Sequence, residues 1–323
     1  MLILGIGGSN HDFSACLANN NEIFMMIEDE RITRNKNSIG LGVSISQGFS
    51  RKYCLDNLSL KVDDVDLIVS NDIINKTILF RLKNVEIINH HLAHASSVFY
   101  CSPFEESAIL IIDAVGSKHM INDNIEYESL SYMLGRKNRI KTLHTVTGAN
   151  LSDTDYIENS LGIFYSIITD IIGFGELQEG KTMGLAPYGN DSMLQFIKQH
   201  ISYDNKGQFC LNKDGILNLL SLKQEITNIK DNKKRFNVMA NIAWAGQFIL
   251  EESVLNACRY LKELTQSDNL CLAGGVILNS VTNYKIYKSG LFKHIFVQPA
   301  AGDNGTSIGA ALYGYYSLMN NKR

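Results

Sequence analysis

The sequence predicts an α/β fold built from two similar halves. An apolar strand that runs into a glycine turn is predicted at residues 2–7 and again at residues 107–113. In both places two further strands and then a helix follow. The chain has 323 residues, which exceeds the usual size of one domain. These observations favour two lobes, which we assign to residues 1–104 and 105–323.

The first half is predicted to begin as a three-stranded meander and to continue with alternating helices and strands. Short apolar runs that end at Gly, Asn or Ser clusters indicate the strands, and longer periodic segments indicate the helices. The predicted strands are residues 2–7, 14–18, 22–28, 66–70 and 86–88, and the predicted helices are residues 44–55 and 91–100.

The second half repeats this order and adds longer helices. In residues 161–172 the apolar side chains recur every three or four positions, as on the buried face of a helix. Residues 190–236 are rich in Asn, Asp and Lys without strong periodicity, so we predict a solvated, peripheral helical insertion there. The predicted strands are residues 107–113, 130–135, 140–146, 270–273 and 295–298, and the predicted helices are residues 161–172, 238–264 and 305–319.

A duplicated unit of this kind is typical of the ribonuclease-H-like fold of the actin, hexokinase and heat-shock-ATPase superfamily. In that fold a nucleotide lies in the cleft between the lobes, where turns after two strands offer backbone N–H groups to phosphates. Three-stranded meanders also occur in many other folds, which is the alternative interpretation. We predict a bilobal, duplicated ribonuclease-H-like fold with a central cleft.

Composition excludes several classes of partner. The net charge is −3 and the chain has no long basic run, which argues against nucleic acid or an anionic membrane as the main partner. The six cysteines are scattered without C-x-x-C spacing, which is typical of free thiols in a reducing cytosol. Neither a signal peptide nor a membrane span is evident, so we expect a soluble, cytoplasmic protein.

One histidine pair has the spacing of metal ligands. His90 and His94 are four residues apart on a predicted helix, so their imidazoles can face one cation. Asp113 and Asp303 are the candidate carboxylates. A mixed shell of this kind suits iron, manganese or zinc better than magnesium or calcium. The alternative is a histidine pair that only caps or solvates the helix.

Several motifs in a fixed order carry a resemblance to a known family. They include HHLAHAS at residues 90–96, EGKTMGLAPYG at 179–189, AGGVILN at 273–279 and PAAGDNG at 299–305. Shorter matches occur at residues 5–15, 28–36 and 110–113. Together they resemble the Kae1-like domain of the NodU/TobZ/CmcH O-carbamoyltransferases, a domain also found in HypF and in the tRNA threonylcarbamoyladenosine enzymes. The resemblance covers nearly the whole chain.

The resemblance implies a metal centre and a reaction. It assigns His90, His94, Asp113 and Asp303 as ligands of a divalent metal, with Fe²⁺ favoured, which would join the two halves across the cleft. The metal would act as a Lewis acid on the phosphate of carbamoyl-adenylate. His91 lies on another face of its helix and is expected to pack or to support the ligands.

Two catalytic residues are proposed on the same basis. His11 would contact the acceptor or the carbamoyl group, because attack by an alcohol benefits from a base with a pKa near neutrality. The alternative is a turn histidine that bonds Asp12 or the backbone. Lys36, with Arg31 and Arg34, would hold carbamoyl phosphate or the carbamoyl oxygen, unless this cluster is only surface charge.

The nucleotide, ATP or carbamoyl-adenylate, is expected to contact two glycine-rich turns and one Gly-flanked loop. Without the resemblance these glycines could be simple turn residues. The expected contact residues are Gly274, Gly275, Val276, Asn279, Gly302, Asn304, Glu179 and Lys181.

The predicted function is transfer of a carbamoyl group from carbamoyl-adenylate to a hydroxyl or amine of a small metabolite or sugar. Full-length relatives carry a C-terminal YrdC-like domain that makes the adenylate from ATP and carbamoyl phosphate. Because this chain stops before such a domain, we expect a separate YrdC-like partner. A homodimer is also possible, since Kae1-like domains often pair.

The sequence departs from the family pattern at a second place, and two functions other than carbamoyl transfer to a small molecule are considered. Ala114 stands where the family usually has Asp-Gly-x-Gly, and its Cβ would crowd a phosphate that approached the backbone. A catalytically silent nucleotide-binding regulatory or scaffold subunit is therefore the alternative. Threonylcarbamoyl transfer to tRNA is disfavoured by the near-neutral charge.

Overall fold

Two mixed β-sheets with related strand orders form the two lobes of the molecule. The computed structural model describes residues 1–19, 22–39, 48–151, 156–204, 206 and 208–323. The strands of the first sheet are β1 (Leu2–Gly7), β2 (Ser14–Asn19), β3 (Glu22–Glu28), β4 (Leu67–Asn71) and β5 (Val85–Ile88). The later strands are β6 (Glu106–Ile112), β7 (Lys118–Ile121), β8 (Asn124–Arg136), β9 (Arg139–Ala149), β10 (Ser202–Tyr203), β11 (Phe209–Cys210), β12 (Asn269–Ala273) and β13 (His294–Val297).

The topology of the first sheet is repeated in the second. In the first sheet the order is β3-β2-β1-β4-β5, with β1 to β3 antiparallel and with β4 and β5 parallel to β1. In the second sheet β6 takes the place of β1, antiparallel β8 and β9 lie on one side, and parallel β12 and β13 lie on the other. Strand β7 adds a hairpin to β8, and β10 pairs only with β11. This repetition confirms the predicted duplicated fold.

The helices surround the sheets and separate them. They are α1 (Asp29–Thr33), α2 (Phe49–Asn57), α3 (His90–Cys101), α4 (Leu161–Ile171), α5 (Glu179–Leu185), α6 (Leu194–Lys198), α7 (Lys213–Thr227), α8 (Asn232–Thr265), α9 (Ser280–Ser289) and α10 (Thr306–Tyr313). The helix predicted over residues 44–55 corresponds to α2, while residues 44–47 lie outside the described chain. Among the described helices, none is both long enough and apolar enough to cross a lipid bilayer.

The described residues within 190–236 are more buried than predicted. They form α6, the β10–β11 hairpin, α7 and the start of α8. Helix α7 buries Ile216, Leu219, Leu222 and Ile226 in the main core of the second lobe. The solvated region predicted from the polar composition is therefore wrong for α7, because its apolar residues recur with helical spacing among the Asn and Lys residues. The boundary between residues 104 and 105 stays a prediction.

Two helices, α3 and α10, lie between the sheets. Helix α3 belongs to the first half of the chain and packs against the second lobe, whereas α10 belongs to the second half and packs against the first lobe. Helix α3 follows the last strand of the first sheet, but its Val98 and Phe99 pack with Ile109 of β6 in the second lobe. Helix α10, at the end of the chain, packs on β1. A Cβ on Gly5 would lie 1.9 Å from the carbonyl oxygen of Ser307, so β1 and α10 are in direct backbone contact.

The two central helices also contact each other at their backbones. A Cβ on Gly309 of α10 would lie only 1.7 Å from the carbonyl oxygen of Ala93 in α3. A side chain at this position would therefore force the helices apart. This close approach brings the turn that precedes α10, with Asp303, to the first two turns of α3, where His90 and His94 lie.

Candidate functional site

Four buried side chains converge between the two lobes. His90, His94, Asp113 and Asp303 each offer one ligand atom, and these four atoms lie within 4.8 Å of one another. The Nε2 atoms of the two histidines are 3.1 Å apart. Oδ2 of Asp113 lies 3.0 Å from Nε2 of His90 and 3.3 Å from Nε2 of His94. Oδ1 of Asp303 lies 3.4 and 3.5 Å from the same two nitrogens.

Local structure explains how the two histidines and Asp113 are placed. Asn89 caps α3 by accepting a hydrogen bond from the N–H of Leu92, so the helix begins at His90 and both histidines lie on one face. Asp113 follows β6 directly. Its Oδ1 accepts hydrogen bonds from the N–H groups of Ala114 at 2.8 Å and Gly275 at 3.2 Å, which leaves Oδ2 directed at the imidazoles.

The electrostatics of the cluster are those of a cation site. Burial lowers the pKa of His90, but the carboxylates of Asp303 and Asp113 outweigh burial and raise it to about 10. Burial opposes ionisation of both aspartates, yet the imidazoles hold the pKa of each well below its usual range. Two buried carboxylates need compensating positive charge, and without a metal the protons on the imidazoles supply it. A divalent cation can replace those protons.

The donor set fits a transition metal. Ligand atoms about 2.0–2.1 Å from a tetrahedral metal are about 3.3 Å from one another. The five distances among the four ligand atoms given above run from 3.0 to 3.5 Å. Two imidazole nitrogens with two carboxylate oxygens are typical of iron, manganese or zinc sites. The four predicted ligands are thus brought together.

His11 lies beside the cluster on the turn after β1. Its Nδ1 is 3.0 Å from Oδ2 of Asp12, the contact considered as the alternative to a base. Burial lowers the pKa of His11, but Asp12 and the charges of Asp303 and Asp113 outweigh burial and raise it to about 9. In this state the ring is a hydrogen-bond donor at neutral pH. Its role as a base stays a prediction.

Lys36 is linked to the turn that carries His11 through contacts of its neighbour Asn37 with Asp12. It is exposed and begins a short 3-10 helix over Lys36–Ser38. The neighbouring Asn37 accepts a hydrogen bond from the N–H of Asp12 at 2.8 Å and donates its amide to Oδ1 of Asp12 at 3.0 Å. The exposed Arg31 pairs with Glu28 and Glu30. A cationic role for Lys36 toward substrate stays a prediction.

Two of the glycines predicted to contact nucleotide, Gly274 and Gly275, form a turn against Asp113 of the four-residue cluster. Gly274 has a φ of +101°, and a Cβ there would lie 2.3 Å from the carbonyl oxygen of Ile112, so the position requires glycine. Its N–H donates to the carbonyl of Ala301 at 2.8 Å. Because the N–H of Gly275 donates to Asp113, both N–H groups already have protein acceptors. Nucleotide contact at this turn, which Val276 continues, stays a prediction.

Two polar residues that were predicted to contact the nucleotide, Asn279 and Asn304, already form hydrogen bonds with other side chains of the protein. Asn279 is buried, caps α9 through Thr282, and exchanges hydrogen bonds with Gln247. Asn304 donates to Oε1 of Glu28 at 2.6 Å, and Gly302 precedes it in the turn with Asp303.

Glu179 and Lys181 lie on a helix, α5, so the loop predicted there is wrong. Glu179 accepts a hydrogen bond from Ser166 at 2.8 Å, whereas Lys181 is exposed with its Nζ over the Phe174 ring. Ala114 packs against α4, since a Cβ on Gly162 would lie 2.6 Å from its Cα. The roles of Glu179, Lys181 and Ala114 toward nucleotide stay predictions.

Two acidic residues that the sequence did not single out hold the start of α3. Asp72 follows β4, and its Oδ1 accepts hydrogen bonds from the N–H of His90 at 3.1 Å and from the Ser117 hydroxyl at 2.6 Å. Glu128 lies in β8, and its Oε1 accepts hydrogen bonds from Asn89 and His91, the residues on either side of His90. No local motif marks either residue, because their partners lie far away in sequence.

We expect the stability supplied by Glu128 to depend on pH. Burial would raise its pKa, but the positive charge of His91 below about pH 4, together with His119 and the Ser117 N–H, outweighs burial and lowers the pKa from 4.5 to about 2. The carboxylate therefore stabilises the fold above pH 4.5, and this contribution is lost as the pH falls toward 2. The Glu128→Gln variant should lose about 1–3 kcal/mol at neutral pH, as is typical of hydrogen bonds to a charged group, and its difference from wild type should be smaller at pH 4. Urea denaturation at both pH values measures this, and an equal difference at both would contradict it.

Comparison with known proteins agrees with the sequence motifs. A family model described as the carbamoyltransferase N-terminus matches residues 73–312. An uncharacterized protein of Synechocystis sp. is 28% identical over 99% of this chain and 58% of its own length. The nodulation protein NolNO of Sinorhizobium fredii is 29% identical over 94% of this chain and 46% of its own length. The chain thus spans about half the length of these curated relatives.

Among solved structures, full-length HypF in a phosphate- and nucleotide-bound form has the same fold. It has a TM-score of 0.58 and 11% identity, covering 98% of this chain and 55% of HypF. This likeness supports the duplicated ribonuclease-H-like architecture. The family model covers most of the chain, and we conclude that the chain belongs to the carbamoyltransferase family whose N-terminal part it matches.

Proposed function

We propose that this chain binds a nucleotide and transfers a carbamoyl group from carbamoyl-adenylate to a hydroxyl or amine of a small metabolite or sugar. The observation that carries the proposal is the convergence of two imidazoles and two carboxylates from both lobes in a member of this family. The likeness to HypF, whose structure contains phosphate and nucleotide, supports a nucleotide in the cleft.

The proposed reaction is a substitution at the carbamoyl carbon. The acceptor oxygen or nitrogen forms the new bond to this carbon, and the bond from the carbon to the phosphate oxygen breaks. AMP leaves with the electron pair, and the acceptor proton passes to a base or to water. A protonated His11 would donate a hydrogen bond to the phosphate or carbamoyl oxygen, and neutral His11 would accept the proton.

His90, His94, Asp113 and Asp303 would hold a divalent metal, for which we favour Fe²⁺. The metal would supply Lewis-acid stabilisation of the negative charge on the leaving phosphate. The exposed Lys36 would add a positive charge for carbamoyl phosphate or the carbamoyl oxygen. We further propose that a separate YrdC-like protein makes the adenylate from ATP and carbamoyl phosphate, and that the reaction takes place in the cytoplasm.

A reconstituted assay tests this function. The chain is incubated with ATP, carbamoyl phosphate, Fe²⁺ and a purified YrdC-like protein, together with a panel of sugars, amino sugars and alcohols. Mass spectrometry should detect an acceptor that gains one carbamoyl group, and only when all components are present. The His94→Gln variant is the control and should give no product.

A binding measurement that needs no acceptor accompanies the assay. We expect AMP to bind to the wild-type chain and to bind more tightly when Fe²⁺ is present. Absence of any nucleotide binding would contradict the proposal. Tight nucleotide binding without transfer under any condition would favour the silent regulatory subunit.

A further inference from the structure

The first turn of α3 is held by one carboxylate from each lobe, and we propose that these residues, Asp72 and Glu128, position the metal ligands. Asp72 follows a strand of the first sheet, and Glu128 lies in a strand of the second. Neither is a ligand. The inference rests on the proposed metal site and assigns to these two side chains the task of fixing where His90 and His94 lie.

Asp72 acts on the backbone of a ligand itself. The N–H of His90 points at Oδ1 of Asp72, 3.1 Å away, and at the hydroxyl oxygen of Ser117, 2.9 Å away. The Ser117 hydroxyl in turn donates to Asp72 at 2.6 Å. The backbone of His90 is therefore held by a closed set of three hydrogen bonds that joins the two lobes.

Glu128 holds the residues on either side of His90. Its Oε1 accepts hydrogen bonds from the Asn89 amide at 2.9 Å, from the N–H of Ser117 at 3.1 Å and from the N–H of His91 at 3.3 Å. The side chain of Glu128 is only 2% exposed. Buried, charge-assisted hydrogen bonds of this kind are about twice as strong as neutral ones, and carboxylates are favoured at a helix N-terminus.

The rings of the two ligands lack the usual direct support. A metal-bound histidine normally donates its second ring nitrogen to a carboxylate or a carbonyl. Here Nδ1 of His90 and Nδ1 of His94 are buried and have no hydrogen-bond partner among the residues that the structure describes. The position of the imidazoles then depends on where the first turn of the helix lies, and Asp72 and Glu128 hold this turn together with the Asn89 cap. A metal site tolerates ligand displacements of only about 0.5 Å. The hydrogen bonds that Asp72 and Glu128 make to the first turn of α3 should therefore affect metal affinity.

Cobalt binding by variants of the full chain tests this inference. The variants are Asp72→Ala, Asp72→Asn and Glu128→Gln, with Glu126→Gln, in the same strand, as the matched control. Co²⁺ affinity is measured by competition with a chelator, and the visible spectrum of bound Co²⁺ reports its ligand geometry. We expect Asp72→Ala to weaken Co²⁺ binding about 10- to 100-fold and to alter the spectrum. Glu128→Gln keeps an acceptor oxygen but removes the negative charge of a buried side chain, so we expect it to weaken Co²⁺ binding by about 10-fold. Asp72→Asn keeps an acceptor oxygen and should restore most of the affinity, and Glu126→Gln should behave as wild type.

The outcomes separate this inference from the proposed function. If Asp72→Ala and Glu128→Gln bind Co²⁺ with wild-type affinity and spectrum and lose only resistance to urea, their role is structural and the inference is wrong, while the metal site stands. If wild type binds no Co²⁺, both proposals fail. Should Glu128→Gln not fold, the exposed Asp72 decides the question alone.

Discussion

Replacing His94 with Gln is expected to abolish stoichiometric metal binding, with an affinity loss greater than about 100-fold, since changes to supporting residues alone cost about 10–100-fold. The Nε2 atom of His94 lies 3.1 to 3.5 Å from the other three ligand atoms, so its loss removes one corner of the site. Gln keeps most of the side-chain volume in this buried position. The measurement is the metal content of the purified protein together with Co²⁺ titration.

His91→Gln is the matched control for that experiment. His91 is the neighbour of one ligand on the same helix and is equally buried, but its Nδ1 lies 2.8 Å from the Ser131 hydroxyl, away from the cluster. Burial lowers its pKa to about 4, so it is neutral under ordinary conditions. We expect His91→Gln to keep its metal. Equal metal content in both variants would contradict the assigned site.

Replacing Gly309 with Ala is expected to destabilise the fold by at least the 1–3 kcal/mol typical of overpacking and to weaken metal binding as well. The new Cβ would meet the backbone of α3 at the carbonyl oxygen of Ala93, 1.7 Å away, and backbone cannot move as a side chain can. Separation of α3 from α10 would move His90 away from Asp303. Urea denaturation and Co²⁺ titration measure the two effects.

Gly184→Ala is the matched control for Gly309→Ala. Gly184 also lies in a helix, α5, but a Cβ there would meet no atom within 4 Å. Because Ala favours helix over Gly by about 1 kcal/mol, this variant should be neutral or slightly more stable. If both substitutions had the same effect, the close contact between α3 and α10 would not be the cause of the instability.

Local pattern was sufficient to predict the strands that open each lobe. The apolar runs that became β1 and β6 end at glycine turns, and the helical spacing of His90 and His94 places them on one face. The pattern did not select Asp113 and Asp303 as their partners uniquely, because these residues are far apart in sequence. The resemblance supplied that pairing, and the structure brings all four together.

Other features could not be predicted because they depend on tertiary contacts. Asp72 and Glu128 look like ordinary acidic residues until α3 is placed between the sheets. The amide of Asn279 matched a family motif, but its hydrogen bonds to Gln247 require α8 and α9 to meet. In α7 the apolar residues lie between many polar ones, so the overall composition of the segment did not indicate that one face of the helix is buried.

The packing of α10 on β1 has a consequence for biosynthesis. Strand β1 leaves the ribosome long before α10, the helix that covers it. One face of the first sheet therefore stays exposed until α10 has been made, and native packing of β1 must wait for that helix. Chains whose contacts span such long separations fold slowly and are prone to aggregate before completion. Truncation shortly before residue 306 should accordingly yield nascent chains that need a chaperone to remain in solution.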